Sequence, residues 1–106
     1  MSQPFLIRQT IGLVQPKFAV EALTALADGP LRYSALQRVI TVTSGETVHP
    51  STLIDSLRRL RDNGLLEHPT DGDTAVYRLT SKGRDLVDLL RQVQSWGEAH
   101  HDSLDH

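Results

Sequence analysis

The side chains best suited to chemistry in this sequence lie together between His49 and Gly64. This stretch combines hydroxyl groups, carboxylates and three guanidinium groups with regularly spaced leucines. Hydroxyl, carboxylate and guanidinium groups form hydrogen bonds with base edges in the major groove of DNA. The residues predicted to reach base edges are Ser51, Thr52, Asp55, Ser56 and Arg59. The alternative interpretation is the solvated face of an ordinary amphipathic helix.

A second set of basic residues surrounds this stretch and suits a different contact. Arg and Lys bind phosphate oxygens, which positions a protein on DNA without reading the sequence. The predicted phosphate contacts are Arg32, Arg38, Arg58, Arg61 and Lys82, and the predicted minor-groove contact is Arg78. The alternative for each is a solvated charge or an ion pair within the chain, such as Arg58 with Asp62.

Catalysis and metal binding have no comparable pattern. The chain contains no cysteine, which excludes disulfides, thiolate chemistry and Cys-based metal sites. His100, His101 and His106 lie near one another in sequence, but adjacent histidines on a helix point in different directions. The chain also has no Gly-rich phosphate loop and no nucleophile with a matched base. We therefore expect no enzyme, no cofactor and no metal site.

The polar residues at 51–61 need a helix to bring them to one side, and the sequence marks both ends of one. Pro50 suits the first helical position, and Asn63-Gly64 suits a left-handed stop. The buried face is predicted from the helical spacing of Leu53, Leu57 and Leu60, with Ile54 beside them. A helix at 50–63 then presents its polar residues on the opposite side.

Two further helices are predicted before this one. The first runs from residue 15 or 16 to Ala27 and ends at Asp28-Gly29-Pro30. The second runs from Tyr33 to Val39 or Ile40. The segment 41–48 is rich in Thr and Ser and contains one Gly, so it predicts a loop.

After Gly64 the pattern changes to strands. Residues 65–68 and 75–79 predict two strands joined by a turn centred on Asp71-Gly72. Thr80 or Ser81 then caps a helix over 81–100. Helices, a hairpin and a final helix in this order predict a winged helix-turn-helix fold, mainly α with a small β-hairpin wing.

Both ends of the chain carry more apolar side chains than one small core can bury. These residues are predicted to form a dimer interface: Phe5, Leu6, Ile7, Ile11, Leu86, Leu89, Leu90, Val93 and Trp96. We accordingly divide the chain into an N-terminal dimerisation arm (1–14), a winged helix-turn-helix domain (15–82), and a dimerisation helix with a frayed acidic tail (83–106).

Charge and hydropathy limit the class of protein. The formal net charge of −2 is unusual for a nucleic-acid-binding domain, but eight basic and six acidic residues lie between Pro30 and Arg84. The middle of the chain is therefore weakly basic and the last residues are acidic. No signal peptide or membrane-spanning run is evident, so we expect a cytoplasmic protein.

Three motifs in this order resemble one family. Residues 26–40 (LADGPLRYSALQRVI) are similar to the L-x-x-G-P-x-R-[FY]-x-x-L-x-x-x-I pattern of HxlR-type winged-helix transcription regulators. Residues 57–66 (LRRLRDNGLL) resemble the LRELExDGL[IV] motif of that family, and residues 77–83 (YRLTSKG) its YxLTxxG motif. Trp96 lies where the family often has Trp. The resemblance covers about residues 16–100.

The resemblance implies a homodimer that binds operator DNA, with the helix at 50–63 in the major groove and the terminal helices forming the dimer. The sequence differs from the family pattern in three features. No Cys is present for redox sensing, the loop before Pro50 is longer, and the wing tip carries Asp71 and Asp73 where DNA favours basic residues. Asp55 on the helix also repels phosphate unless it accepts from a cytosine amino group.

These acidic residues keep an alternative open. A winged-helix dimer with weak or lost DNA binding could bind a protein partner or a small hydrophobic effector in a crevice between its terminal helices.

Overall fold

The computed structural model describes residues 4–68 and 76–104. Its elements are α1 (Pro4–Gly12), α2 (Ala19–Ala27), α3 (Tyr33–Ser44), α4 (Pro50–Asp62), β1 (Leu66–Glu67), β2 (Arg78–Leu79), α5 (Ser81–Ala99) and α6 (His101–Leu104). The two strands pair antiparallel, with Leu66 opposite Leu79 and Glu67 opposite Arg78. The predicted class, mainly helical with a small hairpin in winged-helix order, is confirmed.

One core gathers apolar side chains from α2 through the first half of α5. Its largest fully buried side chains are Leu23, Leu36, Ile40, Leu53, Leu57, Leu60, Leu65, Leu66 and Val87. Removal of apolar surface from water is the main force that holds such a core together. Because three of these leucines come from α4, that helix is held by one face and leaves the opposite face in solvent.

A close corner joins the end of α4 to the start of α5. Thr80 Oγ1 donates to the Gly64 carbonyl (2.6 Å) and accepts from the Gly83 amide (3.0 Å). The Thr80 amide donates to the Leu65 carbonyl (3.1 Å). Gly64 adopts the predicted left-handed conformation, with φ 75°. These contacts fix the direction in which the chain leaves α4 and explain why the Thr80 and Gly83 positions of the YxLTxxG-like motif lie where they do.

α2 begins later than the predicted residue 15 or 16. Residues 16–18 form a turn in which the Ala19 amide donates to the Pro16 carbonyl (3.0 Å). Phe18 lies in the left-handed region, with φ 68°, a conformation that costs a non-glycine residue on the order of 1–3 kcal/mol. Its ring is buried in the core, and this burial offsets the backbone strain.

The prediction of a loop over 41–48 is wrong for its first half, because α3 continues to Ser44. The hydroxyls of Thr41 and Thr43 donate to the carbonyls of Gln37 (2.8 Å) and Val39 (3.0 Å), within the helix. Gly45, with φ 69°, is the residue that ends the helix. The turn between α3 and α4 is therefore residues 45–49, shorter than the sequence predicted.

The hairpin has shorter strands than the predicted 65–68 and 75–79. Leu31, in the segment between α2 and α3, forms an isolated antiparallel bridge with Tyr77, next to β2. Residues 69–75 lie outside the described residues, so the predicted acidic wing tip with Asp71 and Asp73 is not placed.

Candidate nucleic-acid interface

α4 turns a polar face to solvent, directly opposite its buried leucines. Each helical residue advances by about 100° around the axis, so Ser51, Asp55, Arg58 and Asp62 share the outward side. Arg59 lies to one side of this face. Of the five predicted base-edge residues, Ser51, Asp55 and Arg59 are exposed and Thr52 is half-buried. The structure therefore brings four of them to one accessible surface.

Ser56 does not belong to that surface. The expectation that it faces outward is wrong, since only 4% of the residue is exposed. It follows Leu53 by three residues and precedes Leu60 by four, which places it on their face of the helix. Ile54, expected beside the buried leucines, is exposed instead and lies at the edge of the polar face.

Two carboxylates on the helix face neighbour its guanidinium groups. Arg58 Nη1 lies 3.7 Å from Asp55 Oδ1, and Arg61 Nε lies 4.0 Å from Asp62 Oδ1. All four side chains are exposed, so each pair contributes about 0–1 kcal/mol at most. A phosphate can therefore replace the carboxylate at little cost. Arg59 forms no ion pair among the residues that the structure describes.

The start of α4 is anchored through its preceding turn. Val48 is buried, and Gln37 Nε2 donates to its carbonyl (3.3 Å). His49 occupies the N-cap without a side-chain hydrogen bond, and Pro50 follows in the first turn as predicted. The first amide groups of α4 are thus left without a side-chain cap, at the positive end of the helix dipole.

The remaining predicted phosphate contacts are scattered. Arg32 precedes α3 and Arg38 lies on it, both exposed. Lys82 is directed to the other end of α4, where its Nζ donates to the Asn63 carbonyl (2.7 Å). The structure thus gives Lys82 a role as a cap on the C-terminal end of α4, and its phosphate contact stays a prediction.

Arg78 is exposed on β2, but on the side of the hairpin away from α4. Tyr77 faces α4, and successive strand residues point to opposite faces. Arg78 accordingly lies beside Pro30 and Arg84. Its predicted minor-groove contact stays untested.

A groove of about 460 Å³ separates α4 from the base of the hairpin. We call it the α4–hairpin groove, and its lining residues are Tyr33, Ile54, Leu57, Arg58, Arg61, His68 and Tyr77. The His68 and Tyr77 rings stack with centroids 3.8 Å apart and planes 5° from parallel. Burial raises the pKa of Tyr33, and burial also raises the pKa of Tyr77 against the opposing charge of Arg61.

The sequence interpretation assigned no DNA contact to Tyr33, His68 or Tyr77. The hairpin register could have indicated that His68 and Tyr77 lie side by side. With Glu67 opposite Arg78, the next pair outward is His68 opposite Tyr77. No pattern in the local sequence indicates that Tyr33, which belongs to a separate helix, also lines this groove.

The predicted dimer residues fall into two groups. Most are exposed in the single chain, including Phe5 (65%) and Trp96 (58%), and the others are Leu6, Ile7, Ile11, Leu89 and Val93. Leu86 lies in the core of the single chain, contrary to the prediction that it forms part of the dimer interface. Only 7% of it is exposed, because it shares the core-facing side of α5 with Gly83 and Val87. Leu90 is partly buried against the same core.

The described residues provide neither a metal site nor a membrane-spanning helix. None of their His, Asp and Glu side chains cluster in a way that could hold a metal ion. No helix among them has the length and apolar character needed to cross a membrane.

Comparisons with known proteins agree with this geometry. The sequence profile of the HxlR-like helix-turn-helix family matches residues 13–105. No curated protein matches the chain.

Three solved structures illustrate the likeness. A MarR-family transcriptional regulator from Enterococcus faecalis V583 has 21% identity and a TM-score of 0.84, over 99% of this chain and 94% of that one. The transcriptional regulator ytfH from Salmonella typhimurium has 26% identity and a TM-score of 0.71, over 92% and 85%. The quinone-bound YodB from B. subtilis has 23% identity and a TM-score of 0.70, over 93% and 99%.

Proposed function

Because the chain belongs to the HxlR-like helix-turn-helix family, and is thus a DNA-binding transcriptional regulator and not an enzyme, we propose that it reads operator DNA as a homodimer with α4 in the major groove. A regulator works where the DNA is, so we also propose a cytoplasmic location.

The observation that carries this proposal is the free face of α4. Its leucines are buried, both of its ends are anchored, and its hydroxyl, carboxylate and guanidinium groups are exposed. Base edges are read by side chains of these types from a helix in the major groove. We assign base contacts to Ser51, Thr52, Asp55 and Arg59, and backbone contacts to Arg58 and Arg61.

The homodimer is supported by apolar surface that the single chain leaves uncovered. α1 has no buried residue although Phe5, Leu6, Ile7 and Ile11 lie along it. A nine-residue helix is marginal in water without packing. The exposed side of α5, with Leu89, Val93 and Trp96, offers a matching apolar surface on a second copy. Two α4 helices would then reach half-sites about one helical turn apart.

The alternative, a winged-helix dimer without DNA binding, is less well supported. One ground for this alternative is the negative charge of Asp55, but the Arg58 guanidinium, 3.7 Å from the Asp55 carboxylate, partly offsets that charge. A small hydrophobic effector stays a prediction. The relative YodB has been observed with a bound quinone; this chain has no cysteine, so an effector here would bind without a thiol.

The test is binding to labelled DNA from the region upstream of the protein's own gene, compared with a scrambled duplex at two salt concentrations. We expect preferential binding that weakens steeply with salt, by a log–log slope of about −0.9 per neutralised phosphate. Arg59→Glu should abolish it. Arg91→Glu is the control, because Arg91 is equally exposed but lies on α5. Equal binding by wild type and Arg59→Glu would refute the assignment of α4.

A further inference from the structure

Tyr33, which lines the α4–hairpin groove, has a polar atom that lacks a partner among the described residues. The Tyr33 hydroxyl oxygen is covered by its surroundings and forms no hydrogen bond with any residue that the structure describes. Buried polar groups in native proteins are nearly always paired, and an exception calls for an explanation such as an absent ligand. A tyrosine hydroxyl, whose ordinary pKa is about 10, carries its proton at neutral pH and can donate it.

The lining of the groove selects for an anion. Arg58 and Arg61 contribute two guanidinium groups along one side, and none of the described residues that line the groove carries a carboxylate. Tyr77 and His68 form a stacked aromatic wall on the other side. Guanidinium groups bind phosphate through paired, charge-assisted hydrogen bonds. An acceptor with negative charge therefore fits both the cations and the unpaired hydroxyl.

The position of the groove indicates where that anion comes from. Arg58 lies between the outward face of α4 and the groove, so the groove adjoins the proposed DNA-reading surface. With α4 in the major groove and the hairpin towards the adjacent minor groove, the DNA strand between the two grooves passes between α4 and the hairpin. We propose that the α4–hairpin groove holds one phosphodiester group of that strand, gripped by Arg61 and Arg58 and accepting a hydrogen bond from Tyr33.

This inference rests on the proposed DNA binding and adds Tyr33 and the groove to it. A phosphodiester contact is independent of base sequence, so the test does not need the operator. The probe is a fluorescently labelled duplex of arbitrary sequence at low salt, about two helical turns long. Dissociation constants are measured at several salt concentrations for the wild type, Arg61→Gln, Tyr33→Phe and Arg91→Gln. Arg91 is the control for Arg61, because it is also an exposed arginine with a neighbouring carboxylate (Asp88 at 3.6 Å, against Asp62 at 4.0 Å) and lies outside the groove.

Three measurements together identify the contact. Arg61→Gln should weaken binding about tenfold and reduce the magnitude of the log–log salt slope by about 1. Tyr33→Phe should weaken binding about fivefold with an unchanged slope, because it removes a hydrogen bond and no charge. The free Tyr33→Phe protein should melt at the same temperature as the wild type or higher, because the unpaired hydroxyl is lost. Arg91→Gln should bind as the wild type does.

The outcomes separate the two proposals. If wild type binds DNA, Arg59→Glu does not, and Tyr33→Phe binds like wild type, the groove proposal is overturned while the proposed function stands. A wild type that binds no duplex at low salt overturns both. A third outcome would also overturn the inference. If inorganic phosphate stabilises the wild type against heat but not Arg61→Gln, and neither groove variant changes DNA affinity, the groove is a site for free phosphate.

Discussion

The corner between α4 and α5 leaves no room for a side chain at Gly83. A Cβ at this position would overlap the Leu65 carbonyl oxygen, and it would lie 3.1 Å from the carbonyl carbon and 3.2 Å from Leu79 Cδ2. Two of these three atoms belong to backbone that pairs with Thr80. Gly83→Ala therefore cannot be relieved by a single side-chain rotation, and we expect it to displace the start of α5.

The size of the effect follows from the geometry. Real Cβ atoms essentially never approach a heavy atom within 3.0 Å, so the two backbones must separate by about 1 Å. Overpacking of this kind costs about 1–3 kcal/mol, and disturbing the Thr80 cap costs about 1 kcal/mol more. The better helix propensity of alanine returns about 1 kcal/mol. Together these figures give a net loss of about 1–3 kcal/mol, which lowers the melting temperature by about 5–15 °C.

Thermal unfolding followed by circular dichroism at fixed protein concentration measures this change. Gly12→Ala is the matched control, since Gly12 also lies in a helix but a Cβ added there would have no neighbouring atom within 4 Å. That variant should melt at or slightly above the wild-type temperature. If Gly83→Ala and Gly12→Ala melt together, the corner is not as rigid as its hydrogen bonds imply, and the argument fails.

Three other predictions follow from described contacts. Thr80→Val keeps the side-chain volume but removes both hydroxyl hydrogen bonds, so it should lower the free energy of unfolding by about 1–2 kcal/mol in urea titrations, with Thr80→Ser close to wild type. Burial raises the pKa of both Tyr33 and Tyr77 above the ordinary value of 10.0. As the pH rises through 10.0, the unfolded chain releases these phenolic protons first, so stability should fall there and fall less in the double Phe variant. A slope that is identical in both proteins would exclude these two groups as the cause. Val93→Asp should convert the proposed dimer to monomer in sedimentation equilibrium, whereas Arg91→Asp should leave it dimeric.

Local patterns were sufficient to predict the helix that we propose reads DNA. Pro50 and the Asn63-Gly64 pair mark the two ends of α4 within one residue, because capping depends on residues adjacent in sequence. The same reliance on adjacent residues gave the wrong end for α3. Thr41 and Thr43 are typical of loops, but each hydroxyl can also bond the carbonyl four residues back and leave the helix intact.

Features made by distant residues could not be predicted in the same way. The left-handed Phe18 depends on a core that forms only when the chain has folded. The α4–hairpin groove joins Tyr33, Arg61 and Tyr77 from three separate elements, and no pattern along the chain relates them. Ser56 lies between these cases, since strict helical spacing from Leu53 and Leu60 would have placed it inside.

The same contacts divide α4 into positions that hold the helix in place and positions that we propose contact DNA bases. Its leucines and its two anchored ends, at Val48 and at the Gly64 corner, fix where the helix lies. Ser51, Asp55 and Arg59 contribute almost nothing to that placement, because they are exposed and weakly paired at most. Surface changes of this kind usually alter stability by less than about 0.5 kcal/mol. The three positions can therefore change without loss of the fold, as the proposed reading of DNA by α4 requires, while the corner at Thr80 and Gly83 cannot.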